Sequence, residues 1–158
     1  MSLLPLFRWL AGSTLGVWMK NSTYGFAVVE MVHLIGLAVL GGSVLLADLK
    51  VLQLIRLRQT AAQIVRQLQP LVIVGLITLV CSGVLLVADG PLRYYGNAAF
   101  RIKMLLLVLA TIFYFVLHRK VLESEGTANA KWAARVVAAT SLLLWVGVAL
   151  AGRAIGLL

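Results

Sequence analysis

Residues 24–46, which read YGFAVVEMVHLIGLAVLGGSVLL, decide the fold of this chain. Within this stretch only Glu30 and His33 can carry a charge near neutral pH. A helix needs about 20 apolar residues to cross the hydrocarbon core of a bilayer. Strands of a membrane barrel are about ten residues long and alternate in polarity. The stretch therefore predicts a membrane-spanning helix, which can continue as far as residue 57.

Three further apolar runs, at residues 70–88, 97–120 and 132–155, have the same character. The chain is 62% hydrophobic and only 12% charged, whereas a soluble domain is about half apolar and a quarter charged. Four crossings and their loops use up the 158 residues. The sequence therefore predicts one domain over residues 1–158, an all-α integral membrane four-helix bundle with up-down connections.

Residues 3–19 predict an additional helix at the membrane surface. Pro5 and Arg8 interrupt their apolar character, and Trp9 and Trp18 suit the headgroup level. A signal peptide is the alternative interpretation, because a basic residue precedes an apolar run. No convincing small-x-small cleavage site follows it, which favours a retained interfacial helix.

The net charge of +9 would suggest nucleic acid in a soluble protein. Here the basic residues lie in loops and at the ends of the apolar runs, where they act as topology signals, so no nucleic-acid partner is expected. Eight basic residues fall on one side of the predicted membrane and six on the other. The positive-inside rule then places both termini outside the cytoplasm of a plasma membrane.

Ionisable groups at membrane depth are the candidate functional residues, because burying them in lipid is costly. At 1.5 Å of rise per residue, Glu30, His33 and Lys103 lie about 6, 10 and 5 Å below one surface. Lys103 shares one helix face with Tyr114 and His118. Glu30, His33 and Lys103 thus form a polar layer, which can equally be a structural ion pair or hydrogen bond that fixes helix register. Small and hydroxyl residues of the second and fourth runs, Ser82 among them, favour close helix packing.

The two histidines of one chain cannot both ligate the same haem iron, because they lie at different depths in the membrane. His118 lies about 27 Å from the entry surface, so it is about 17 Å from the level of His33. The alternatives are ligation by His33 alone or by two His33 residues in a homo-oligomer.

The sequence resembles a family of small bacterial four-helix membrane proteins of unknown function. Their pattern is E-x-x-H-x-x-G, then D-L-R or D-L-K, then F-x-x-K-M, and it is matched here by Glu30–Gly36, Asp48–Lys50 and Phe100–Met104. The similarity extends over nearly the whole chain. It implies a four-helix protein of a bacterial inner membrane.

The layout is more distantly similar to the copper-resistance D domain and to HemJ-type protoporphyrinogen oxidases. That resemblance implies haem b or a porphyrin, with His33 as iron ligand and Lys103 as essential partner. The chain departs from the HemJ pattern at Glu30, where that type has lysine, and at Tyr114, which occupies a later histidine position. These departures argue against the oxidase activity more than against haem binding.

Two classes of function and an accessory role follow as hypotheses. The first is a haem b-binding or redox-linked membrane protein with a redox partner, in which the candidate cofactor-binding residues are Glu30, His33, Lys103 and Tyr114. The second is transport or handling of copper, another metal, ions or protons, with His33 and His118 as candidate metal ligands. The third is an accessory or assembly subunit. The sequence leaves enzymatic activity open.

Overall fold

The computed structural model describes residues 4–22, 24–56, 58–115 and 128–155. Within these ranges the chain forms seven helices and no strand. They are α1 (Leu4–Gly12), α2 (Thr14–Asn21), α3 (Gly25–Val51), α4 (Ala61–Asp89), α5 (Pro91–Gly96), α6 (Ala98–Phe113) and α7 (Ala128–Ala154). The prediction of an all-α chain is confirmed for this part of the protein.

Three of these helices are long and apolar enough to cross a membrane: α3, α4 and the Lys131–Ala154 part of α7. Only 28%, 28% and 17% of the residues in their most apolar windows are buried inside the protein. Apolar side chains therefore cover the outward faces, as Val74, Leu143 and Leu150 illustrate with 58%, 72% and 67% exposure. Faces of this kind are typical of helices in lipid, and three such helices are consistent with a multi-pass membrane protein.

Side-chain caps explain where several helices begin. The hydroxyl of Thr60 accepts from the backbone N–H of Gln63, and the Gln63 side chain accepts from the N–H of Thr60, which is a capping box. The helix that carries the predicted crossing 70–88 consequently starts earlier, at Ala61, and Pro70 lies inside it rather than in its first turn. Asn97 caps α6 in the same manner through the N–H of Phe100.

The predicted surface helix is two helices. The Ser13 hydroxyl accepts from the N–H of Gly16, so Ser13 ends one helix and begins the next. Trp9 and Trp18 are 69% and 52% exposed, as expected of headgroup anchors. Helix α1 packs on α5, and α2 packs on α4.

Helices α3 and α4 form the closest pair of the structure. A Cβ added to Gly75 would lie 2.8 Å from the backbone nitrogen of Leu40, and one added to Gly36 would lie 2.9 Å from the Thr78 methyl group. Glycine at both positions thus lets the two backbones approach. Helix α7 packs against α3 and α6.

Two apolar clusters hold the long helices together. The first centres on five buried side chains of α3, α4 and the turn after α6, with Trp145 of α7 packed against them: Leu40, Val44, Val72, Leu79 and Tyr114. The second joins Ala47, Val51, Val65 and Ala138. Both lie deeper in the spans than the predicted polar layer, which is left at one end of the helices.

Candidate functional site

His33 is the centre of the polar layer, and its partner is Ser82 on α4. The His33 Nδ1 atom lies 2.8 Å from the Ser82 hydroxyl oxygen. Ser82 is 3% exposed, and its hydroxyl donates to the carbonyl oxygen of Thr78 in its own helix. The hydrogen bond thus ties α3 to α4 inside the membrane-spanning region.

This arrangement favours one tautomer of His33. A hydroxyl has one proton, and that of Ser82 is donated to Thr78. The tautomer that fits this donation has Ser82 accepting from His33, with the ring proton on Nδ1. The neutral ring then presents Nε2 as a lone-pair nitrogen, which can bind a metal or accept a proton.

The His33 ring lies over a glycine, because its Cε1 atom is 3.4 Å and its Nδ1 atom 3.9 Å from the position of a Cβ at Gly83. Nε2 lies more than 4 Å from the same position. The ring is thus held through its Nδ1 edge.

Lys103 brings a positive charge to the same level. Its Cε and Nζ atoms lie 3.5 Å from the position of a Cβ at Gly152 of α7, and the side chain is half-buried. The ammonium group is close enough to interact electrostatically with His33. His33 of α3 therefore lies against α4, and Lys103 of α6 lies against α7, in the same layer.

Glu30 marks the exposed edge of this layer. Its side chain is exposed one turn from His33 and interacts electrostatically with Tyr94 of α5. Burial raises the pKa of the Tyr94 phenol above 10, the Arg93 guanidinium opposes this shift, and the carboxylates of Asp89 and Glu30 add to it. Tyr94 is thus a neutral hydrogen-bonding group at physiological pH.

Aromatic rings close the same end of the molecule. Phe7 of α1 lies 5.3 Å from Tyr95 and 6.4 Å from Phe100, and Tyr94 lies 5.6 Å from Phe100, measured between ring centroids. Phe100 is three residues before Lys103. The surface helix α1 therefore covers the end of the spans that holds the polar layer.

The other candidate residues lie elsewhere. Tyr114 is 1% exposed and packs in the first apolar cluster, about 16 Å along the helix from Lys103. Its role in a cofactor site stays a prediction. His118 and the end of the predicted third crossing lie outside the described residues. No group of three or more His, Cys, Asp or Glu side chains that could hold a metal ion occurs in the described part of the chain.

Sequence reasoning assigned Ser82 to helix packing and missed its bond to His33. The sequence feature that could have revealed this bond is the register of the two glycine contacts between α3 and α4. From Leu40 to Gly36 to His33 the steps are four and three residues, and from Gly75 to Leu79 to Ser82 they are the same. Antiparallel helices paired at the glycines therefore place Ser82 opposite His33.

Comparison with known proteins gives a family and no activity. No curated protein and no solved structure matches the chain. The likeness to the copper-resistance D domain and to the HemJ type therefore stays a prediction. A family model described as a family of unknown function (DUF6644) matches residues 6–158. The chain belongs to this family.

Proposed function

We propose that this protein crosses the bacterial inner membrane four times and binds haem b through Nε2 of His33. The observation that carries the proposal is the His33–Ser82 hydrogen bond. Histidines that ligate metals characteristically donate their other ring N–H to a neighbouring acceptor, which orients the ring and raises its basicity. Here the Ser82 hydroxyl supplies that acceptor, itself held by the Thr78 carbonyl.

The surroundings of His33 favour haem over a bare metal ion. Zinc and similar ions take three or four ligands from the protein, and no such group occurs among the described residues. Haem iron is already held by the porphyrin and needs only one or two axial ligands. The Lys103 ammonium would pair with a propionate, which is the anionic edge of the same ligand.

An optical spectrum tests the proposal directly. The protein is purified from a haem-supplemented membrane and compared with His33→Ala, Ser82→Ala and His118→Ala variants. We expect a Soret band that His33→Ala removes and His118→Ala keeps, and we expect Ser82→Ala to weaken haem affinity about 10- to 100-fold. Wild-type protein without a Soret band contradicts the proposal.

The fourth crossing in this proposal is α6. Its 16 helical residues span about 24 Å, so it reaches across the hydrocarbon core only with the residues that follow Phe113. Reporter fusions at each loop and terminus test the topology. Both termini outside the cytoplasm are expected, and termini on opposite sides would contradict four crossings.

Proton handling is the second candidate, and Glu30 is the observation that favours it. An exposed carboxylate near Tyr94, one turn from a neutral imidazole, provides two proton-accepting groups at successive depths. Vesicles with a trapped pH-sensitive dye measure this function. Proton uptake that Glu30→Gln and His33→Ala both abolish supports it, whereas uptake equal to that of empty vesicles rejects it.

A further inference from the structure

The hydroxyl side chains of the long helices form the same kind of hydrogen bond to the backbone, with one exception. In α3, α4, α6 and α7, five hydroxyls of the described residues donate to the carbonyl oxygen four residues earlier, the usual solution in lipid. These are Ser43, Thr78, Ser82, Thr111 and Thr140. Ser141 does not make this bond.

Ser141 and Trp145 present buried polar atoms with no hydrogen-bond partner among the described residues. These atoms are the hydroxyl oxygen of Ser141 and Nε1 of Trp145. Ser141 is 1% exposed. The two residues are four apart on α7, so they lie on the same helix face one turn from each other. Nearly all buried polar groups in proteins bind a partner, so the pair requires one.

The pair lies inside the protein and not at its lipid surface. Trp145 packs on the first apolar cluster with Tyr114, and Ala138, one turn before Ser141, packs with Ala47 in the second cluster. Ser141 is therefore between the two clusters.

We infer that Ser141 and Trp145 together bind one water molecule within the membrane-spanning region. An indole N–H only donates a hydrogen bond, whereas a hydroxyl donates and accepts. Water can accept from Nε1 and pair with the Ser141 hydroxyl at once. Buried waters make two to four such bonds, so these two groups supply the minimum.

Other occupants fit these groups less well. A metal cation is not held by an N–H donor. An anion needs a positive charge, and Lys103 lies at the level of Gly152, seven residues or about 10 Å along α7 from Trp145. The water site is thus distinct from the His33 layer, and it does not depend on haem binding.

Solution NMR of the full chain in detergent micelles, with isotope-labelled tryptophan, tests this inference. Trp145→Phe assigns the indole N–H signal, and its cross-peak to water is recorded with the sign that marks a long-lived molecule. Ser141→Ala removes the proposed partner. Thr140→Ala is the matched control, because that adjacent hydroxyl donates to the carbonyl of Val136.

We expect the water cross-peak of Trp145 in the wild type, its loss in Ser141→Ala and its retention in Thr140→Ala. Absence of the cross-peak in the wild type overturns the inference. The inference is also overturned if the cross-peak persists in Ser141→Ala, or if Ser141→Ala and Thr140→Ala lose it equally. If Ser141→Ala does not fold, Ser141→Cys takes its place, because a thiol is a weak hydrogen-bond donor and acceptor.

Discussion

Replacement of Gly75 by alanine tests the closest contact of the fold. The added Cβ would lie 2.8 Å from the nitrogen and 2.9 Å from the Cβ of Leu40, where ordinary contacts begin at 3.4 Å. Because the obstructing atoms include backbone, α3 and α4 must separate locally by about 0.6 Å, the difference between the first and last of these distances. Overpacking of this kind costs about 1–3 kcal/mol.

Gly41→Ala is the matched control. A Cβ at Gly41 meets nothing within 4 Å, so this variant reports only the gain in helix propensity, about 1 kcal/mol. That gain is common to both variants, and the difference between them isolates the packing cost. Gly36→Ala should fall between them, because the atoms that it meets first belong to the Thr78 side chain.

The assay is unfolding of the protein in mixed micelles with increasing denaturing detergent. We expect the free energy of unfolding of Gly75→Ala to be about 1–3 kcal/mol below that of Gly41→Ala. Equal values for the two variants would refute the reasoning, because they would mean that the helices are not in contact at Gly75.

Three further predictions concern local structure and can be measured on the same preparation. Thr60→Ala removes the cap of α4 and should lower stability by about 1 kcal/mol, whereas an unchanged value would show that the capping box is not formed. Gln53 has a φ of 61° after the end of α3, and its side chain accepts from Arg135. Gln53→Gly and Gln53→Ala both lose that bond, so the glycine variant should be about 1 kcal/mol more stable than the alanine variant, and equal stabilities would contradict this conformation. Because the folded-state pKa of Tyr94 is raised above 10, its contribution to stability is complete below pH 10 and is lost as the pH rises through the folded pKa. Tyr94→Phe should remove that part of the alkaline loss, and a variant that loses as much stability as the wild type over the same alkaline range would contradict the assignment.

The spanning helices could be predicted from sequence because lipid imposes a simple rule on composition. An apolar run that contains only Glu30 and His33 as ionisable groups has few alternatives to a helix in a membrane. The grouping of His33 with Lys103 also followed from counting 1.5 Å per residue. Both predictions depend on one helix at a time.

Features that depend on a local competition between backbone and side chain were harder to predict. Pro70 suggested a helix start, yet the reciprocal bonds of Thr60 and Gln63 begin the helix earlier. Ser13 divides the surface segment because its hydroxyl caps the second helix. The same residue types occur inside helices elsewhere in this chain, so their presence alone does not determine where a helix breaks.

The partner of His33 could not be read from either helix alone, because it depends on the fit between them. A shift of α4 by one residue would rotate its contacting face by about 100° and carry Ser82 away from His33. The contact of Gly75 with Leu40 prevents such a shift, since a residue with a side chain would then meet the α3 backbone. The His33–Ser82 hydrogen bond, on which the proposed ligand site depends, is thus a consequence of glycine packing two turns deeper in the membrane. Packing and the proposed chemistry thus depend on the same contact, so variants that separate α3 from α4 should impair the proposed haem binding at His33 without changing the histidine itself.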